Sequence, residues 1–201
     1  MLDIKNFQTL TRYTDSKILL LVIDGLGGLP HHQTSKTELE SANIPNLDKL
    51  TQESTTGIAT PIQPGITPGS GPGHMSLFGY NPIKYVIGRG VLEAIGSGIK
   101  LSNKDIAVRG NFCTIDNQGV ITDRRAGRIS DSDARKLIQS LSEIKVDGTH
   151  ITIKHLKNHR FVLVLSGSDL NTDITPTDPL LNNLPINQAS ANSPQSRKTA
   201  T

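Results

Sequence analysis

Lys17-Ile18-Leu19-Leu20-Leu21-Val22-Ile23-Asp24-Gly25 carries six consecutive apolar side chains and ends in a carboxylate and a glycine. An unbroken apolar run of this length predicts a strand covered on both faces, as in a parallel sheet flanked by helices. Such a strand delivers its last residue, here Asp24, to the carboxyl edge of the sheet, where open α/β sheets place their ligands. The second informative stretch is Pro68-Gly69-Ser70-Gly71-Pro72-Gly73-His74. It sets a serine where a glycine-rich turn enters a helix, with backbone free to approach a ligand.

Working outward, Asn43 as a cap and Pro45 in the first turn open a helix that places Leu47 and Leu50 on one face. Residues 56–60 return as a second strand. Short helices are expected from Ser70 or Gly71 to Phe78 and from Arg89 to Ile95. The pattern changes near residue 103. Ile106, Val108 and Gly110 alternate with polar residues, Asp116-Asn117-Gln118-Gly119 is a turn signal, and Val120-Ile121-Thr122 returns as an antiparallel partner. A helix follows over residues 132–141, capped by Ser130 or Asp131, and then two strands over 149–156 and 160–165 around Lys157-Asn158-His159. Residues 1–102 therefore read as the N-terminal part of an α/β core, 103–170 as an α+β insert, and 171–201 as a polar linker returning to the core. The ending Ser196-Arg197-Lys198-Thr199-Ala200-Thr201 reads as the start of a helix without a body.

The net charge of +3 is spread along the chain, and aromatics are 3% of residues with no Trp. Stacking platforms are scarce, which argues against nucleic acid as the main partner. Cys113 is the single cysteine, so neither an intrachain disulfide nor a thiolate zinc cluster is available, as suits a reducing cytoplasm. The start of the chain lacks a basic segment followed by an apolar core, and the run at 18–23 is far too short to span a bilayer. A soluble cytoplasmic protein is expected, with no membrane partner; oligomeric state is not legible.

Asp24 and Ser70 together suggest phosphoryl chemistry on a serine nucleophile. By itself, Asp-Gly after a strand more often marks a turn, and Ser at a helix start more often a cap. The glycine loop lacks the Gly-Lys-Ser/Thr ending of a nucleotide-binding P-loop. Pro68 stands where a Gly-Xaa-Ser-Xaa-Gly hydrolase elbow needs its first glycine. Arg124, Arg125 and Arg128, with Arg109 on a neighbouring strand, form the main basic cluster of the insert. On charge pattern alone this is a solvated turn. Arg89 either pairs with Glu93 four residues on or touches a ligand. Cys113 reads as buried packing, and His74 as orienting the loop rather than ligating a metal.

The motifs Val-Ile-Asp-Gly-Leu-Gly (22–27), Lys-Thr-Glu-Leu-Glu (36–40), Ile-Pro-Asn-Leu-Asp-Lys-Leu (44–50), Pro-Gly-Ile-Thr-Pro-Gly-Ser-Gly-Pro-Gly-His-Met (64–75), Gly-Tyr-Asn-Pro (79–82), Gly-Arg-Gly-Val-Leu-Glu-Ala-Ile-Gly (88–96), Arg-Gly-Asn-Phe-Cys-Thr (109–114) and Asp-Arg-Arg-Ala-Gly-Arg-Ile (123–129) occur in this order. Together they resemble the archaeal-type branch of the cofactor-independent (2,3-bisphosphoglycerate-independent) phosphoglycerate mutases, in the alkaline-phosphatase-like superfamily. The likeness extends more weakly through residues 159–165, 177–179 and 197–200, so the chain is similar to the family's N-terminal half. The resemblance implies an α/β alkaline-phosphatase-like core with an inserted α+β lid. It also implies interconversion of 3- and 2-phosphoglycerate through a phosphoserine, using two divalent metal ions (Mn²⁺, Mg²⁺ or Zn²⁺) and no 2,3-bisphosphoglycerate. By motif match Ser70 is the nucleophile, Asp24 and Ser70 are metal ligands, and Arg109, Arg124, Arg125 and Arg128 clamp the phosphoglycerate. Family members complete the metal sites with Asp and His from the C-terminal half, and no such cluster follows Asp178. The isolated chain is therefore expected to be inactive. The alternatives are another metal-dependent phosphatase or phosphotransferase of the superfamily, or an inactive truncated fragment.

Overall fold

The structure is a computed structural model that describes residues 8–23 and 25–201; Asp24, and with it the expected approach of Asp24 to Ser70, lies outside the described residues. Among the described residues, six strands form two small antiparallel sheets. In the first, β1 (Asp105–Asn111) pairs with β5 (Arg160–Gly167), which pairs with β4 (Thr149–Lys157), in the order β1-β5-β4. In the second, β2 (Thr114–Ile115), β3 (Val120–Asp123) and β6 (Leu184–Pro185) lie in that order. The expected turn over 116–119 is present, held by Gln118 and Val120 amides donating to the Asp116 carboxylate. It joins β2 to β3, however. The pairing expected between the strand at 106–110 and that at 120–122 does not form, because β1 takes β5 as its partner along its whole length.

Helix α1 (Glu38–Ser41) begins in a capping box: the Thr37 hydroxyl accepts from the Glu40 amide and the Glu40 carboxylate from the Thr37 amide. Helix α2 (Pro45–Gln52) has Pro45 in its first turn as expected. Its cap position is Ile44 rather than Asn43, and no side chain bonds there. Helices α3 (Ser70–Leu77) and α4 (Arg89–Gly96) match the sequence reading within a residue or two. Helix α5 (Asp131–Leu141) is capped by Ser130, whose hydroxyl accepts from the Asp133 amide, and it buries Ala134 against β4. The last element, α6 (Arg197–Ala200), returns to the end of β5. There Lys198 Nζ donates to the Ser168 carbonyl at 2.7 Å and the Asn171 amide to Thr199 Oγ1 at 2.8 Å.

The packed centre lies where α4 crosses the β1–β5 pair. Ala94 and Val162 are fully buried there, Val164 is nearly so, and Ile99, Leu101, Ala107 and Leu156 close around them. Gly90 makes the crossing possible. A Cβ at that position would stand 1.9 Å from the Ala107 carbonyl oxygen and 2.4 Å from its carbon, so only glycine lets the helix backbone rest on the strand.

The first hundred residues depart from expectation. The described part of the run at 17–23 is not a strand, nor are residues 56–60, and the parallel sheet expected within 1–102 is not formed among the described residues. Ile18 is 97% and Leu19 93% exposed. A strand persists only when neighbouring strands pair its amides and carbonyls and helices cover its faces, and the described residues offer this run neither. The total accessible surface, 15850 Å², measures the consequence. A compact monomer of 21.7 kDa exposes about 9,000 Å². Among the described residues no helix is long and apolar enough to cross a membrane.

Gly90→Ala should lower stability by roughly 1–3 kcal/mol, the usual cost of overpacking against an element that cannot give way. An unchanged chemical-denaturation midpoint would show that α4 does not lie on β1 as described.

Candidate functional site

Ser70 is the first residue of α3, and Gly69 before it has no side chain to cap the helix. The opening amides of the helix thus lack a side-chain acceptor, and the helix dipole places partial positive charge beside the serine. One turn on, the His74 ring bonds back to the Ser70 carbonyl at 2.5 Å through Nδ1. A carbonyl only accepts, so Nδ1 carries the proton, and the ring orients the first turn as the sequence suggests. Ser76 Oγ donates to the Pro61 carbonyl and ties the helix to the proline-rich loop before it. Gly71 is buried against α4, with Leu92 Cδ1 3.0 Å from where a Cβ would stand, so α3 and α4 pack closely enough to share a cavity.

That cavity, about 370 Å³, is lined by Ser70 and His74, by Phe78 and Tyr80, and by Arg89, Glu93 and Arg109 from α4 and β1. Arg109 is the one expected clamp residue that the structure brings to Ser70. Its Nε lies 3.8 Å from Glu93 Oε1. Burial, and then the neighbouring Arg160, lower its proton affinity, while Glu93 opposes the shift and Arg89 adds to it. Glu93 therefore pairs with Arg109 across the cavity rather than with Arg89 along the helix. Arg160 adds positive charge near Arg109 from outside the cavity lining, and the sequence did not single it out. The signal was its place opposite Asn111 at the end of the β1–β5 register, which only the pairing reveals.

Arg124, Arg125 and Arg128 lie elsewhere. Arg124 is held bidentately by Asp178, Nε to Oδ1 at 2.9 Å and Nη2 to Oδ2 at 2.6 Å, and its amide donates to Asn182 Oδ1 at 3.1 Å. The fork expected on substrate here fastens the segment around 178 to β3. Arg125 lines a separate opening with Asp123, Leu180, Leu181 and Asn182. Arg128 sits in a tight bend at φ 55°. Both charges are felt by His159, which is 6% exposed with Nδ1 unpartnered. Burial first, then Arg160, Arg125, Arg128 and Arg109, hold that imidazole below its ordinary value. Asp123 is held low by the Arg125 and Gly127 amides it accepts. Cys113 is half-buried, beside a third cavity of about 350 Å³ that Arg109, Arg124 and Asp178 also line.

Among the described residues no group of three or more His, Cys, Asp or Glu side chains is placed to hold a metal ion. Ser70 offers one oxygen, and Glu93 is engaged by Arg109. The donors present do not make a metal site, and Asp24 lies outside the described residues.

A family model described as 2,3-bisphosphoglycerate-independent phosphoglycerate mutase matches residues 51–201. A protein of Thermus thermophilus named "Probable 2,3-bisphosphoglycerate-independent phosphoglycerate mutase" is 45% identical over 193 residues, which is 95% of this chain and 48% of that protein. One of the same name from Thermotoga neapolitana is 47% identical over 203 residues, covering 100% and 50%. A solved structure, the cofactor-independent phosphoglycerate mutase of Thermoplasma acidophilum DSM 1728, is similar with a TM-score of 0.53 at 38% identity, covering 89% of this chain and 47% of that one. The chain spans about half the length of the curated relatives it matches.

The Asp178 carboxyl is held below its ordinary value, first by the Arg124 hydrogen bonds, against the opposing effect of burial. A lowered folded-state value means that its contribution is complete above the unfolded value of about 3.9 and is lost as pH falls through the folded value. The protection factors of the amides in residues 178–186, taken against intrinsic exchange at each pH, should therefore fall on acidification below about pH 4. Asp178→Asn should be poorly protected at every pH, and a variant with unchanged acid dependence would assign the titration to another group.

Proposed function

This chain belongs to the 2,3-bisphosphoglycerate-independent phosphoglycerate mutase family, and we propose that it supplies the nucleophile-bearing half of a site that moves a phosphoryl group between the 3- and 2-oxygens of glycerate. The observation that carries the reading is the shared cavity of Ser70, Arg89 and Arg109. Ser70 Oγ forms the bond to phosphorus, the bond from phosphorus to the glycerate oxygen breaks, and the serine proton ends on that oxygen. Return of the phosphoryl group to the other hydroxyl completes the isomerisation. The uncapped amides at the start of α3 favour the negative charge that gathers there, and Arg109 and Arg89 favour the phosphoryl oxygens in the same place.

Arg124, Arg125 and Arg128 belong to the clamp in this reading only if the 103–170 segment closes on the cavity, since Arg124 is occupied by Asp178. We assign residues 1–102 to the core, 103–170 to the lid and 171–201 to the return, on the change from exposed, largely strandless chain to paired antiparallel sheet. Asp24 and Ser70 are the donors this chain would offer to two divalent ions, which when bound would favour loss of the serine proton. The remaining ligands are not among the described residues. The reading needs no 2,3-bisphosphoglycerate, involves neither nucleic acid nor membrane, and fits a cytoplasmic setting with one free thiol. A phosphatase of the same superfamily would use the same serine. The Arg89 and Arg109 guanidiniums, which suit the carboxylate as well as the phosphate of phosphoglycerate, favour transfer to glycerate over hydrolysis. The exposed run at 17–23 supports a chain that needs further strands before it turns over substrate.

In an enolase-coupled assay the 201-residue chain alone should stay at background, and fusion to the C-terminal half of a relative should restore interconversion. Robust turnover by the chain alone would show it self-sufficient. In the restored protein Ser70→Ala should lose several orders of magnitude in turnover, and retention of more than about a tenth would remove Ser70 from the mechanism.

A further inference from the structure

Two guanidinium groups, those of Arg89 and Arg109, meet one carboxylate in the cavity beside Ser70, and a third, Arg160, acts on Arg109 from outside the lining. Arg89 reaches back over the start of α3, its Nη2 3.6 Å from where a Cβ on Gly69 would stand. Arg109 enters from β1, and Arg160 at the head of β5 is near enough to oppose its charge. Glu93 is the one acid among the described residues lining the cavity, and it faces Arg109 at 3.8 Å. That distance is a charge contact and not a hydrogen bond. Glu93 therefore does not fix the guanidinium fork as Asp178 fixes that of Arg124; burial in the sheet does so, since Arg109 is 21% exposed. Glu93 supplies charge.

We propose that Glu93 is a specificity-setting residue of this cavity: a built-in counter-anion that competes with the anionic groups of the substrate for Arg109 and so sets how much negative charge the cavity accepts. The inference rests on reading the Ser70 cavity as the phosphoryl site. The Arg89 and Arg109 guanidiniums left alone in the cavity would repel one another and would hold a multiply charged phosphate ester tightly. One carboxylate among them relieves the first effect and weakens the second, so that a charged product can leave. Both side chains are partly buried, and their interaction is screened less than an exposed pair would be.

The test is calorimetric titration of the 201-residue chain with inorganic phosphate and, separately, with 3-phosphoglycerate, at constant pH and ionic strength. Glu93→Gln removes the charge and keeps the shape; it should bind both probes about three- to tenfold more tightly, with the larger gain for the more highly charged 3-phosphoglycerate. Arg109→Gln in the same background should cancel the gain. Glu93→Ala serves as a second neutral variant, and circular dichroism checks the fold of each. Equal or weaker binding by both neutral variants, while the original chain binds and Arg109→Gln does not, would overturn the role of Glu93 and leave the cavity reading standing. Absence of binding by the original chain and by both neutral variants would overturn both.

Discussion

The contact of α4 with the β1–β5 pair is the constraint on which the rest depends. Gly90 lets the helix backbone touch the strand, and Ala94 then drops between Val162 and Val164. With that crossing set, Arg89 and Glu93 on the helix and Arg109 on the strand line the cavity beside Ser70. The cavity is a by-product of a small-residue helix face on a β-branched sheet face. No long-range charge arrangement has to be found first, because the apolar contact positions the charges.

Elements with local signals were legible. Pro45, the Gly-rich entry to α3, the Ser130 cap and the alternation over 149–165 each name their own structure within a few residues. Pairing was less so. The alternating strand at 105–111 could join either of two partners, and the longer register with β5 won over the short return at 120–123. The run at 17–23 carried the strongest strand signal in the chain and is not a strand. Its pattern describes a position covered from both sides, and pattern alone cannot supply the cover.

The site divides the same way. Ser70 and Arg109 carry local motif signals, and the fold lines one cavity with both. Arg124 was readable as a phosphate-binding type but not as a residue already satisfied, since Asp178 is 54 positions away. Glu93 was visible as a partner for an arginine, yet i,i+4 spacing proposed Arg89, and the tertiary contact with Arg109 replaced it. Arginines are generic anion binders, and which anion each one holds is a property of the folded neighbourhood.

The junction of Lys198 and Thr199 with Ser168 and Asn171 has a topological meaning. The chain leaves the end of β5, wanders through a polar excursion, and comes back to the point of departure, so the excursion is a loop closed at its base. The Arg124–Asp178 fork pins that loop partway round and divides it into two shorter circuits. Closure entropy grows only as the logarithm of length, about 0.6 kcal/mol for each doubling. Insertions between β6 and the base would thus change the fold's free energy little. The outline of this face can drift in evolution while both attachment points stay where they are.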